Sequence, residues 1–121
     1  MLIEAAWGLG ETIVSGDVQP DVIHVSATEK QVMDYSVSEK KNWMRPGGHG
    51  VEAVLEELQN RACLKYEQIM RLQELGQLAV AHFGAPQDIE WAVEGDDVLM
   101  LQADRFLFVD TDARTTRILS R

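Results

Sequence analysis

The sequence holds a single cysteine, Cys63, which rules out a disulfide within the chain. No base adjacent in sequence activates it, so it reads as a half-buried thiol in a reduced, cytoplasmic protein. Positive charge is scarce: 11 Lys and Arg against 20 Asp and Glu give a net charge of -9. Such a surface cannot neutralise phosphates broadly, which excludes nucleic acid and anionic membranes as partners. A local nucleotide site stays compatible, because a bound metal ion can supply the missing charge. No apolar run is long enough to span a bilayer. Met1 to Trp7 lack a basic segment and run into Gly8 and Gly10, so they do not form a signal peptide. They read as a strand that begins at once, and so abrupt an opening is expected of a piece of a larger domain. Repeats and low-complexity segments are absent too. What remains, 45% hydrophobic and 26% charged residues over 121, is the composition of one soluble domain with one core.

Along the chain, Ile3 to Trp7 predicts a strand and Gly8-Leu9-Gly10 a turn. Val22 to Val25, β-branched and preceded by Pro20, predicts a strand with Gln31 to Val37 as its partner. Glu39-Lys40-Lys41 is charged throughout and ends that pattern. Arg45 to Gly50 is a loop by its Pro and Gly content. Ile69, Leu72, Gly76, Ala79 and Phe83 recur on one helical face, with Gly84 and Pro86 as stop signals. Val51, Val54, Leu55, Leu58 and Ala62 fall on a compatible face. Either one long helix runs from Glu52 to Phe83, or two helices break near Leu64. Asp88 to Val93 and Val98 to Ala103 predict a hairpin, and Phe106 to Val109 with Thr116 to Leu119 a second pair. The class is α+β, a mostly antiparallel sheet with packed helices.

Chemistry concentrates on the first hairpin. Asp88 and Glu90 share a strand face, with Ile89, Trp91 and Val93 on the other. A three-residue loop, Gly95-Asp96-Asp97, pairs Glu94 with Val98 and so Glu90 with Gln102. Asp88, Glu90 and Gln102 then converge. Two carboxylates and a carboxamide oxygen are hard donors that suit Mg2+. An ordinary hairpin with its polar face in water produces the same pattern, so both readings stand.

The run Glu4-Ala5-Ala6-Trp7-Gly8-Leu9-Gly10-Glu11-Thr12-Ile13-Val14-Ser15-Gly16, followed by Pro20-Asp21, resembles the glycine-rich segment of phosphoenolpyruvate synthases and rifampicin phosphotransferases. His82 to Ala92, then Leu101-Gln102, resembles the end of the same ATP-grasp domain, shared with pyruvate phosphate dikinase. The resemblance covers most of residues 1–102, in the family's order. It implies a domain that splits ATP and passes a phosphoryl group to a histidine on a separate domain. By position it implies that Glu90 and Gln102 hold magnesium at the ATP phosphates, that Asp88 supports them, and that Glu11 lies near the phosphate end. A solvated loop acid is the plain alternative for Glu11.

The same resemblance marks what is missing. The family's N-terminal lysine and arginine would precede Met1, and its phosphohistidine motif is absent. His24, His49 and His82 read as surface or loop histidines. Residues 1–103 are therefore expected to be the C-terminal part of an ATP-grasp domain, not competent for catalysis alone. Residues 104–121 depart from the family's Arg-Pro-Ile continuation, and loss of one base would generate Asp104-Arg105-Phe106 from it. The expected partners are a second copy of the chain, through apolar surface left uncovered, or a separately encoded N-terminal half.

Overall fold

Burial follows a two-residue period from the first turn of chain: Ile3 and Ala5 are fully buried, Leu2 and Glu4 only half-buried. That is the signature of a strand with one covered face. The computed structural model describes residues 1–10, 13, 16, 18–45, 48, 50–85, 87–105 and 117–120. Its strands are β1 (Leu2–Ala5), β2 (Asp21–Val25), β3 (Val32–Ser36), β4 (Asn42–Trp43), β5 (Glu52–Ala53), β6 (Gln87–Glu94), β7 (Asp97–Arg105) and β8 (Arg117–Ser120). Two helices, α1 (Glu56–Gln59) and α2 (Tyr66–Phe83), lie between β5 and β6. Six strands form one sheet in the order β3-β2-β1-β8-β6-β7, and β4 pairs with β5 apart from it. The fold is α+β.

The core lies between one face of the sheet and α2. Ile3, Ala5, Ile23, Val25, Ile89 and Trp91 meet Leu64, Ile69, Leu72 and Ala79 there. Each large aliphatic side chain so buried contributes about 1.5–3 kcal/mol relative to exposure. The helical spacing of Ile69, Leu72, Gly76 and Ala79 is realised, but Phe83 is 53% exposed at the last turn. Gln68 and Gln73 are buried instead. Gln68 has a local reason: its Oε1 accepts the N–H of Lys65 at 2.9 Å, capping the helix start.

Three outcomes bear on the expectations: two correct them, and one decides for two helices broken near Leu64. No helix runs through residues 51–55. Asn42 and Trp43 pair with Ala53 and Glu52, and the N–H of Val54 goes to the carbonyl of Lys41 at 2.8 Å. The helical region breaks before Tyr66 because its backbone donors are taken elsewhere. Cys63 N–H donates to Asp21 Oδ2 at 2.9 Å, and Leu64 N–H to the Tyr35 hydroxyl at 3.2 Å. Neither donor is left for a carbonyl one turn back. Third, β8 inserts between β1 and β6, parallel to both, where the sequence suggested a pair with residues 106–109. Those four residues lie outside the described ones.

Tyr35 pins the β3 side to the helix connector and loses solvent in doing so. Burial pushes its phenol from 10.0 up to about 12, with the Asp21 charge adding to the shift. The folded state therefore holds this proton more tightly than the unfolded chain. The stability it contributes is complete below pH 10 and is lost as pH rises toward 12. In a Tyr66→Phe variant, ultraviolet titration of the remaining tyrosine should show a midpoint near 12. A midpoint at the ordinary phenol value would contradict its burial.

Candidate functional site

Glu4, Asp88 and Glu90 stand on the face of the sheet turned away from α2, because strand alternation gives Ile3, Ala5, Ile89 and Trp91 to the core. β1, β8 and β6 run parallel, so their residues align in rows. Glu4 stands opposite Leu119, Leu119 opposite Glu90, and Glu90 opposite Gln102 on β7. The adjacent row reads Leu2, Arg117, Asp88 and Asp104. Strands are spaced about 4.8 Å apart, which puts the Glu4 and Glu90 backbones roughly 10 Å from each other. Asp88 and Glu90 are half-buried, and their Oδ1 and Oε2 atoms are enclosed.

Glu90 and Gln102 are opposite, as expected, but the register is reached by a different route. The turn has two residues, Gly95-Asp96, with Glu94 paired to Asp97 and Val93 to Val98. Gly95 has φ +63, the conformation a type II′ hairpin turn requires of its first central residue. A two-residue turn alone would set Glu90 opposite Leu101. A β-bulge between Glu90 and Trp91 takes up one residue of β7 and restores the Gln102 pairing. The like-charged residues Asp88 and Asp104 also stand opposite each other in the register.

Glu11 lies outside the described residues, as does His49. His24 and His82 are exposed, and His24 Nδ1 is 3.9 Å from Asp34 Oδ2 on the neighbouring strand. Glu4 is the acid that sequence reasoning did not select. The signal was the alternation itself: with Ile3 and Ala5 inside, Glu4 must occupy the open face, in the row of Glu90. Among the described residues, no group of three or more His, Cys, Asp or Glu is placed to hold a metal ion. By register the row brings together two acids, Glu4 and Glu90, and an amide residue, Gln102. Their chemistry fits a hard divalent cation completed by water and phosphate oxygens.

A structural ion pair of a different kind lies in the interior. Asp21 and Lys40 are both 0% exposed, with Lys40 Nζ 2.5 Å from Asp21 Oδ1. Asp21 also accepts the N–H groups of Ser38 and Cys63, each at 2.9 Å. The Glu39-Lys40-Lys41 run, charged in sequence, thus sends its middle residue into the interior.

The family model for the pyruvate phosphate dikinase AMP/ATP-binding domain matches residues 1–116. The chain is 37% identical over 123 residues to a probable phosphoenolpyruvate synthase of Methanothermobacter thermautotrophicus, covering 100% of this chain and 18% of that protein. A probable phosphoenolpyruvate synthase of Archaeoglobus fulgidus is 39% identical, over 84% of this chain and 14% of its own length. The rifampicin phosphotransferase of Bacillus subtilis is 36% identical, over 84% and 12%. The chain thus spans less than a fifth of each of these relatives. No helix among the described residues is long and apolar enough to cross a membrane. With its glycine-rich segment and its Glu90–Gln102 hairpin in the expected order, the chain belongs to the pyruvate phosphate dikinase AMP/ATP-binding domain family.

Proposed function

We propose that the open face of the sheet is the magnesium and phosphate side of an ATP site, in a domain that serves phosphoryl transfer but does not turn ATP over alone. The observation that carries this reading is the row of Glu4, Glu90 and Gln102, with Asp88 beside it on β6. Acids crowd this face, so a triphosphate would be repelled from it without a divalent cation. Glu90 and Gln102 are the residues assigned to magnesium, with Asp88 in support and Glu11 toward the phosphates. Relatives named for phosphoenolpyruvate synthesis and for rifampicin phosphorylation share this segment. The common element of two such activities is the nucleotide, so acceptor choice is assigned to other parts of those proteins. Transfer itself needs cations on the moving phosphoryl group. Those are assigned to the family's other segments, supplied in the same chain or by a separate one.

Calorimetric titration tests this directly. Mg-ATP is expected to bind with a dissociation constant of about 1 mM, roughly 4 kcal/mol of affinity, without release of phosphate. Chelating the magnesium, or Glu90→Ala, should abolish the heat. Binding that survives either change, or no binding at 10-fold higher ligand, would sink the assignment.

A second reading, association with another copy of the chain, is favoured by one feature. Leu99, Met100 and Leu101 are 43%, 39% and 51% exposed on β7, the end strand of the described sheet. An apolar end strand is a template for pairing with a like strand. Light scattering at micromolar concentration should report a dimer or larger species, and Leu99→Lys with Leu101→Lys should return a monomer. A monomeric parent chain removes this reading and leaves the nucleotide site untouched.

A further inference from the structure

The helix-covered side of the sheet holds a cavity that the nucleotide reading does not use. It lies where β1 and β6 end and α2 begins, and its volume is about 430 Å3. Trp7, Leu64, Trp91 and Val93 give it apolar walls, and Arg61 and Lys65 bring two positive charges. Among the described residues, no Asp or Glu lines it. In a chain with 20 acids and 11 bases that is a reversal of the prevailing sign. The walls are fixed from outside. Trp7 Nε1 donates to the Leu58 carbonyl at 2.9 Å, and the Cys63 and Leu64 N–H groups are held by Asp21 and Tyr35. Pockets of this size, mostly apolar with a few polar groups and already formed, are the usual setting for small ligands.

Several features favour a negative ligand. Among the described residues Lys65 pairs with Asp96 at 3.8 Å, and both side chains are largely exposed, so Lys65 is not committed to it. α2, 18 residues long, starts beside Lys65 and turns the positive end of its dipole to the cavity. Trp91 is 3% exposed, and its indole N–H has no acceptor among the described residues. A buried donor without a partner is costly, and a ligand oxygen would relieve it. Burial pushes the Cys63 thiol up, so it adds no negative charge.

We propose that this cavity binds a small organic anion with a flat apolar body, its acid group between Arg61 and Lys65 and its body against Trp7 and Trp91. Strand alternation turns Trp91 to this side and Glu90 to the other, so the two sites occupy opposite faces of β6.

The test uses the aromatic sulfonate 8-anilinonaphthalene-1-sulfonate, with N-phenyl-1-naphthylamine as the same body without the charge. Excited through tryptophan, the sulfonate should saturate as a single site and bind at least about tenfold tighter than the amine. Arg61→Glu with Lys65→Glu should weaken the sulfonate by about tenfold or more and leave the amine unchanged. If that pair lowers the melting temperature, Arg61→Gln with Lys65→Gln carries the same comparison. Saturating Mg-ATP should not displace the probe. Equal binding of the two probes, indifference to both pairs of substitutions, or displacement by Mg-ATP would each overturn the proposal. The last would make the cavity part of the nucleotide site.

Discussion

Asp21→Ala is expected to destabilise the fold by about 3–5 kcal/mol, the range for breaking a buried ion pair from one side. The reason lies in how many segments one carboxylate holds. Its Oδ1 receives Lys40 and the N–H of Ser38, and its Oδ2 the N–H of Cys63. The substitution leaves the Lys40 cation buried without its counter-charge, with only the Ser38 carbonyl at 2.8 Å among the described residues, and two backbone donors buried without acceptors. Lys40→Met should cost less, by about 1 kcal/mol or more, because Asp21 keeps its two backbone donors. Urea denaturation of both variants checks the order. If Lys40→Met proves the worse of the two, the backbone donors are not what makes Asp21 indispensable.

Gly8→Ala is the second large effect, at about 3 kcal/mol. The residue has φ +75, a conformation that costs other residues roughly 1–3 kcal/mol. Space is the harder limit. A methyl group there would strike the carbonyl oxygen of Met44 and lie 3.1 Å from its carbon. That carbonyl cannot move freely, since it accepts the N–H of Leu9 at 2.8 Å. Gly95→Ala isolates the conformational part: φ is +63 but the added group meets open space, so about 1–2 kcal/mol is expected. Equal losses in the two variants would show that the approach of Met44 carries no weight. The glycine at position 8 is thus needed for two backbones to meet, and its place in a motif does not by itself imply contact with phosphate.

The elements legible in the sequence were those whose signal is local. The core-facing spacing of Ile69, Leu72, Gly76 and Ala79 needs only a helix and a covered side. The alternation of Asp88, Ile89, Glu90 and Trp91 needs only a strand. The Glu90–Gln102 pairing was read correctly from a wrong loop length, because the longer loop and the bulge each absorb one residue of β7. Residues 51–55 went wrong because their apolar spacing fits a helix, while β4 offered them strand partners distant in sequence.

By itself the sequence determined the strand and helix periodicities, the shortage of positive charge, and a pair of motifs that places the chain in its family. These depend on neighbours within a few residues, or on composition. Only the tertiary structure decided that Lys40 is buried, that β8 lies between β1 and β6, that Glu4 joins the row of Glu90, and that Arg61 and Lys65 line a cavity with no acid among its described lining residues. Each of those depends on groups brought together from distant parts of the chain. Their energies are set by burial and by strand register, and neither is carried by any short stretch of residues.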